Sequence, residues 1–287
     1  MMRILKEQRG SVTLLVALAM VALLGFAALV VDVGLMYWTR AQLATEADSA
    51  ALAGGSELPA GVYQADAAAR DYTARNGGDS VDLIVDGGGT SLTVNVTRTI
   101  NLLFAQVFGY KTRDVTATAT AAISSVGGAN GAAPLGMPQE EFNSTKRYEL
   151  KTGSGGSQRG NFQALALDDK TGANIYGKNL QYGYDGTLTV GQDVATEPGN
   201  KVGDTRTAIE DRIARDDRIL IVPIIDPQGY KDAKGRDMVK IVGFAAFYID
   251  SEGGNGQVYG YFRGYASGHA IAGNGPNYGL YSLRLSQ

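Results

Sequence analysis

The chain has 287 residues, with 26 Lys and Arg against 29 Asp and Glu, and a formal net charge of −3. A nucleic-acid partner, which needs a basic face, is excluded by that balance. The absence of cysteine excludes disulfides, thiol catalysis and Cys-ligated metals, and a single histidine, His269, leaves no His-rich metal site.

The chain opens with MMRILKEQRG, in which Arg3, Lys6 and Arg9 outnumber Glu7. An uncharged run then extends from Gly10 to Val31, broken only by Ser11, Thr13 and a tolerated Gly25. A bilayer core about 30 Å thick needs roughly 20 apolar helical residues, and this run supplies them. The basic leader, residues 1–9, predicts a cytoplasmic N-terminus. Residues 10–31 are then a single transmembrane helix in the cell membrane, Tyr37 and Trp38 are interfacial aromatics, and the remainder is extracytoplasmic. The run is longer than the apolar core of a signal peptide, about 7–15 residues. The best small-x-small site, Ala51-Leu52-Ala53, lies far beyond it. Cleavage between Gly10 and Ser11, as in a pilin precursor, is the other processing route. Leu15 stands where such precursors usually carry Glu, which favours an uncut anchor but leaves the processed form open.

The segment AQLATEADSAALAGG is rich in alanine and free of proline, so the helix is expected to continue as a stalk over residues 32–56. Met36, Leu43, Ala47 and Ala50 fall on one helical face. This face either packs on the chain's own domain or forms a helix–helix assembly face. Gly54-Gly55 is the expected stop, giving a helix from Ser11 to Ala53 of about 65 Å.

Taken together, RGS at Arg9–Ser11, VVDVG at Val30–Gly34, the aromatic exit, AQL at Ala41–Leu43 and ADSAALAGG at Ala47–Gly55 resemble the N-terminal module of the TadE/TadG-like Flp (Tad) pilus-assembly family of bacteria. Asp32 and Asp48 fall where that module carries Asp. At the outer boundary Asp32 reads as a hydrated stop charge, and Asp48 as a solvated or partnered residue among alanines. Some TadG-like proteins carry a von Willebrand A domain with a D-x-S-x-S metal site. That stretch is missing here, so its metal-dependent adhesion does not carry over.

Residues 57–125 read as a small α/β unit. SELPAGVYQADAAARDYTARNGG gives a helix with a stripe of Val62, Ala65, Ala69 and Tyr72, stopping at Asn76-Gly77. SVDLIVD and SLTVNVTRT form a hairpin around DGGGT, with Leu92, Val94 and Val96 facing one side. INLLFAQVFG reads as a short amphipathic helix through Leu103, Phe104 and Val107. In RDVTATATAAIS, Val115, Ala117, Ala119 and Ala121 alternate with Thr116, Thr118 and Thr120; the small side chains leave room for the long helix.

Residues 126–145 are a linker by composition, and 146–287 a mainly β domain, a sandwich or barrel. Its expected strands are KRYELKT, NFQALAL, the region of LQYGY, RILIVPIID, MVKIVGFAAFYID and QVYGYFRGYA. Pro223 suggests an edge or bend. DTRTAIEDRIARDD is a helix with Asp204 as N-cap and Ile209 and Ile213 on its apolar face. The fold class is therefore α+β: a long N-terminal transmembrane helix with an extracytoplasmic extension, an α/β unit, then the β domain.

Chemistry is sparse. TGSGGSQRG at 152–160 lacks the Gly-Lys-Ser/Thr ending of a phosphate loop and reads as a flexible loop. DSEGGNG at 250–256 fails the spacing of a calcium loop and reads as a turn. Ser267 beside His269 is not a triad, and Glu140 with Glu141 is not a glycosidase pair by adjacency. Tyr259, Tyr261, Tyr265, Tyr278 and Tyr281 read as half-buried sheet positions or as a sugar-binding surface. These features predict a non-enzymatic, cofactor-free protein, and the resemblance implies an accessory component of a Tad/Flp pilus-assembly or secretion apparatus. The resemblance implies membrane, Tad/Flp pilus or secretion subunits, and the cell wall as its partners. The rivals are a pilin-like filament subunit cut after Gly10 and a surface-anchored carbohydrate- or wall-binding module.

Overall fold

The computed structural model describes residues 9–76, 80–151, 164–167, 173–228 and 237–286. Most of the basic leader, Gly77, the Gly-rich stretch 152–160 and the start of NFQALAL lie outside the described residues.

Helix α1 spans Arg9–Glu57, 49 residues, or roughly 74 Å at the α-helical rise. Its large apolar residues from Val12 to Val31 are exposed. Among the described residues it is the one helix long and apolar enough to cross a membrane. The helix runs through Gly54-Gly55, contrary to the expected stop. Packing holds these glycines helical: a Cβ on Gly54 would meet Leu92 and lie 2.9 Å from the Ala65 carbonyl oxygen, and one on Gly55 would lie 2.9 Å from Ala121 Cβ. Pro59 ends the helix instead, as the chain tightens into a 3-10 turn, Leu58–Ala60.

Helix α2, Val62–Asn76, buries Ala65, Ala69 and Thr73. Val62 and Tyr72, expected on the buried stripe, are exposed, and Thr73 takes the inner position. β1 (Ser80–Val85) and β2 (Ser91–Asn101) pair as the expected hairpin, and β3 (Thr112–Ser124) pairs antiparallel with β2. Leu92, Val94, Val96, Ala117, Ala119 and Ala121 form the buried face that receives α1. Hydroxyl pairs such as Thr93–Thr120 at 2.8 Å and Thr97–Thr116 at 2.9 Å run along the opposite face.

The following strands are β4 (Val126–Asn130), β5 (Met137–Pro138), β6 (Tyr148–Lys151) and β7 (Leu165–Ala166). Helix α3 (Ala173–Tyr182) leads to β8 (Thr187–Thr189) and β9 (Asp193–Thr196). Helix α4 (Val202–Ala214) precedes β10 (Ile219–Ile225), β11 (Met238–Glu252) and β12 (Val258–Phe262). The chain finishes with β13 (Tyr265–Ser267), β14 (Ala270–Ala272) and β15 (Leu280–Ser286). The class is α+β, with three sheets among the described residues. The first, five-stranded, has the order β1-β2-β3-β15-β13, so two of its strands come from the far end of the chain. The second has seven strands, with the path β5-β10-β11-β12-β6 and β9 joining β11 to β7; the third is β14-β4-β8.

Four sequence expectations change here. Residues 126–145, a linker by composition, contribute β4, β5 and the buried Val126, Ala129, Ala132, Ala133 and Leu135. Close approach explains the glycines: a Cβ on Gly128 would lie 2.8 Å from the Leu188 carbonyl oxygen. Leu180–Tyr182 of LQYGY end α3 rather than form a strand, because Tyr176 and Leu180, four residues apart, share a buried face against α4. Asp204 lies in the first turn of α4, whose N-cap is Lys201 at φ 49° without a side-chain cap. Pro223 lies inside β10 opposite Phe244. The short β5 reaches β10 only at Ile224 and Ile225, so the missing N–H breaks no ladder there.

The second sheet is buried on both faces. One carries Tyr176, Leu180 and Ile209 against Val222 and Phe247; the other carries Leu188, Ile221 and Phe244. Arg212 holds the helical layer in place: its Nε donates to the Leu180 carbonyl oxygen at 2.7 Å, and its Nη1 lies 3.0 Å from Asp217 Oδ2.

Candidate membrane-proximal docking site

The outer half of α1 docks on the first sheet through the face read from the sequence. Leu43, Ala47 and Ala50 are fully buried and Met36 is partly buried against the same core. The partner is the chain's own sheet, so these four residues do not form a free helix–helix assembly face in this fold. Alanine at positions 47, 50 and 51 lets the helix sit close to the alanine row of β3. Glu46 is buried on the flank of this seam and pairs with Arg98 of β2 at 3.3 Å, tying the helix to the sheet electrostatically. Asp48 is exposed.

Asp32 is not a hydrated stop charge. It is 3% exposed and its carboxylate reaches the segment after β2. Leu103 N donates to Oδ1 at 2.7 Å, Phe104 N to Oδ2 at 3.0 Å and Ala105 N to Oδ2 at 2.7 Å. Three consecutive amides at the start of the 3-10 turn Ala105–Phe108 therefore converge on one carboxylate from the long apolar helix. Burial alone would raise the Asp32 carboxyl, but the bonds from Leu103, Ala105 and Phe104 prevail and hold it below the ordinary 3.8. It is an anion at neutral pH.

Where the sequence predicts a short amphipathic helix, the chain makes a 3-10 turn of four residues. It buries none of its four residues, and Leu103, Phe104, Val107 and Phe108 all face outward. Phe104 and Phe108 lie along α1, and with Ala22, Gly25 and Leu29 they border an open apolar cleft of about 390 Å³. Sequence reading marked Leu103, Phe104 and Val107 as apolar but did not identify an exposed patch; a usable signal was FAQVFGY followed at once by Lys111 and Arg113.

The other sequence candidates do not converge. Gly10 and Ser11 are within the first turn of α1. His269 is exposed, and its backbone N–H donates to Ser267 Oγ at 3.1 Å. DSEGGNG is the hairpin turn between β11 and β12, with Glu252 accepting from Gly254 N and Gly256 N. The tyrosines divide. Arg147 sits over the Tyr259 ring at 4.5 Å, Tyr261 pairs opposite Tyr248 and Tyr265 packs beside the third core cluster. Tyr278 and Tyr281 line an open cleft of about 530 Å³ with Glu140, Glu141, Arg263 and Asn277.

Comparison with known families agrees with this N-terminal architecture. The model of the Tad family, described as Flp pilus-assembly TadE/G-like, matches residues 10–57. No curated protein and no solved structure matches the chain.

Proposed function

We propose that the chain is a membrane-anchored accessory component of a bacterial Tad/Flp-type pilus-assembly or secretion apparatus, single-pass, with a cytoplasmic N-terminus and extracytoplasmic domains. The observation that carries this reading is the coincidence of the family match, residues 10–57, with α1, residues 9–57. One family module is thus both the apolar span and the strut on which the first sheet is built. The excess of Arg3, Lys6 and Arg9 over Glu7 supports the orientation. The role is structural: Asp32, Glu46 and Arg212 each hold a backbone segment or pair with another element. Other pilus or secretion subunits are its expected partners. The open cleft beside Tyr278 and Tyr281 offers a place for wall polymer. Crosslinking in native membranes followed by co-purification tests the assignment; recovery of no pilus or secretion component overturns it.

A second reading, a filament subunit cut after Gly10, draws on the exposed apolar half of α1 beyond a docked outer half. Mass spectrometry of the native N-terminus separates the two. Met1 retained sinks the processed form, and Ser11 as first residue supports it.

A further inference from the structure

The segment after β2 combines two features that rarely coexist on a water-exposed loop. Its apolar side chains point outward: Leu103 is 59% exposed, Val107 84%, Phe108 81% and Tyr110 68%. Most of its backbone amides are nevertheless satisfied within the protein. The amides of residues 103–105 bond to Asp32. Val107 N donates to the Phe104 carbonyl oxygen, Gly109 N to that of Gln106 and Tyr110 N to that of Ala105. The Gln106 side-chain amide donates to the Leu102 carbonyl oxygen. Water leaves such amides free to bond to solvent, whereas hydrocarbon requires them satisfied within the protein. An exposed apolar patch of this kind marks a contact surface.

Its position identifies the contact. Phe104 and Phe108 border the same cleft as Ala22, Gly25 and Leu29, all within the apolar run of α1. Ala22 precedes Asp32 along the helix by about 15 Å, so the two phenylalanines lie alongside the outer part of the span. Exposed Lys111 and Arg113 follow the patch directly, and exposed Tyr37, Trp38 and Arg40 follow the span. Aromatic and basic residues at the edge of an apolar surface are the pattern of a headgroup boundary.

We propose that the turn 103–110 is a second membrane-contacting element, seated in the outer leaflet of the bilayer that α1 crosses and latched to α1 by Asp32. The patch is continuous with the lipid-facing run of α1, and the basic residues behind it face anionic headgroups, so phospholipid is its occupant. The inference rests on the membrane reading of α1 above. It turns a one-point anchor into a two-point one, which fixes the tilt and rotation of the first sheet against the membrane surface.

The full chain in liposomes containing anionic phospholipid provides the test. In a Trp38→Phe background, one protein carries Phe108→Trp and a control carries Phe26→Trp; both positions are exposed, so neither indole disturbs the core. Spin-labelled lipids, with the label at a shallow or a deep acyl position, and aqueous acrylamide serve as quenchers. The expected result is quenching of both indoles by lipid, with position 108 protected from acrylamide. Quenching at 26 by lipid but at 108 only by acrylamide overturns the inference and leaves the anchor intact. Lipid quenching at neither position means that the membrane reading itself has failed. Position 108 shielded from both lipid and water means that a second copy covers the patch, and also overturns it. Val107→Trp in the same background repeats the measurement at a neighbouring site. Adding Asp32→Ala to the Phe108→Trp protein is expected to lose lipid quenching and gain acrylamide quenching; an unchanged profile removes Asp32 from the latch.

Discussion

Gly54 of α1 and Leu92 of β2 meet with no space for another atom: a Cβ on Gly54 would run into Leu92 and sit 2.9 Å from the Ala65 carbonyl oxygen. Alanine is normally favoured over glycine inside a helix by about 1 kcal/mol. Overpacking of a well-filled core typically costs about 1–3 kcal/mol, and one of the obstructing atoms here belongs to the backbone of α2. Gly54→Ala is therefore expected to be net destabilising. Gly34, in the same helix, has nothing within 4 Å, so Gly34→Ala should be neutral or stabilising by up to about 1 kcal/mol. Urea midpoints of both variants in detergent check the contrast; equal effects would refute the close-approach account.

Replacing Asp32 should release the segment after β2 while sparing the core of the first sheet. In Asp32→Asn, the amides of Leu103, Phe104 and Ala105 are expected to exchange hydrogen faster, and those of β3 to stay protected. The folded-state carboxyl titrates below 3.8, so its contribution is present above that pH and lost as the pH falls through the lower folded value. Wild-type protection at residues 103–105 should accordingly be the same at pH 5 and pH 7. A loss by pH 5 would contradict the charge-based cap.

What the sequence revealed depended on the range of the physics. The alternation of Val115, Ala117, Ala119 and Ala121 with threonines is a period-2 signal contained in one strand, and the strand is there. The buried face of Leu43, Ala47 and Ala50 is likewise local. Its partner was not fully legible, since the same face fits a sheet or a second helix. Asp32 stood out as an acid at the end of the apolar run. Its role depends on amides more than seventy positions away, and no local pattern encodes that closure. Leu103 and Val107 were legible as apolar positions of a short helix, but periodicity separates apolar from polar faces without saying whether the apolar side is buried or exposed. Gly127 and Gly128 looked like linker residues because glycine required for close approach has the same composition as glycine in a loop.

The return of the C-terminal strand to the first sheet makes stability non-local. β15 lies between β3 and β13, and Leu283 packs against the α1 core, with Gly55 at its side. A chain ending at Gly279 should lose protection in β3 and in the outer half of α1, although both lie more than 150 positions away in sequence. Hydrogen exchange on the truncated chain checks this. Loosening confined to the second sheet would indicate that residues 57–125 fold without β15.

Lys151 gives a pH dependence with a definite sign. The residue is fully buried on β6; its Nζ donates to Asn200 Oδ1 at 2.8 Å and to the Gly256 carbonyl oxygen at 3.2 Å. Burial pushes the ammonium down from 10.5 to about 8, against the opposing pull of the Glu252 charge. Between those values the unfolded chain holds a proton that the folded chain has released, so stability rises as the pH climbs from about 8 towards 10.5. The full window is worth at most about 3 kcal/mol, and less where water relaxes around the site. Lys151→Met removes both the buried charge and the titration. At pH 7 the variant should be close to wild type in stability, since loss of the charge offsets the donor lost to Asn200 and Gly256. Urea midpoints at pH 7, 8.5 and 10 should climb more steeply for wild type than for Lys151→Met. Comparing the two proteins cancels the contribution of the tyrosines and the other lysines, which titrate in both. Parallel curves would mean that Lys151 keeps its ordinary affinity for the proton despite its burial.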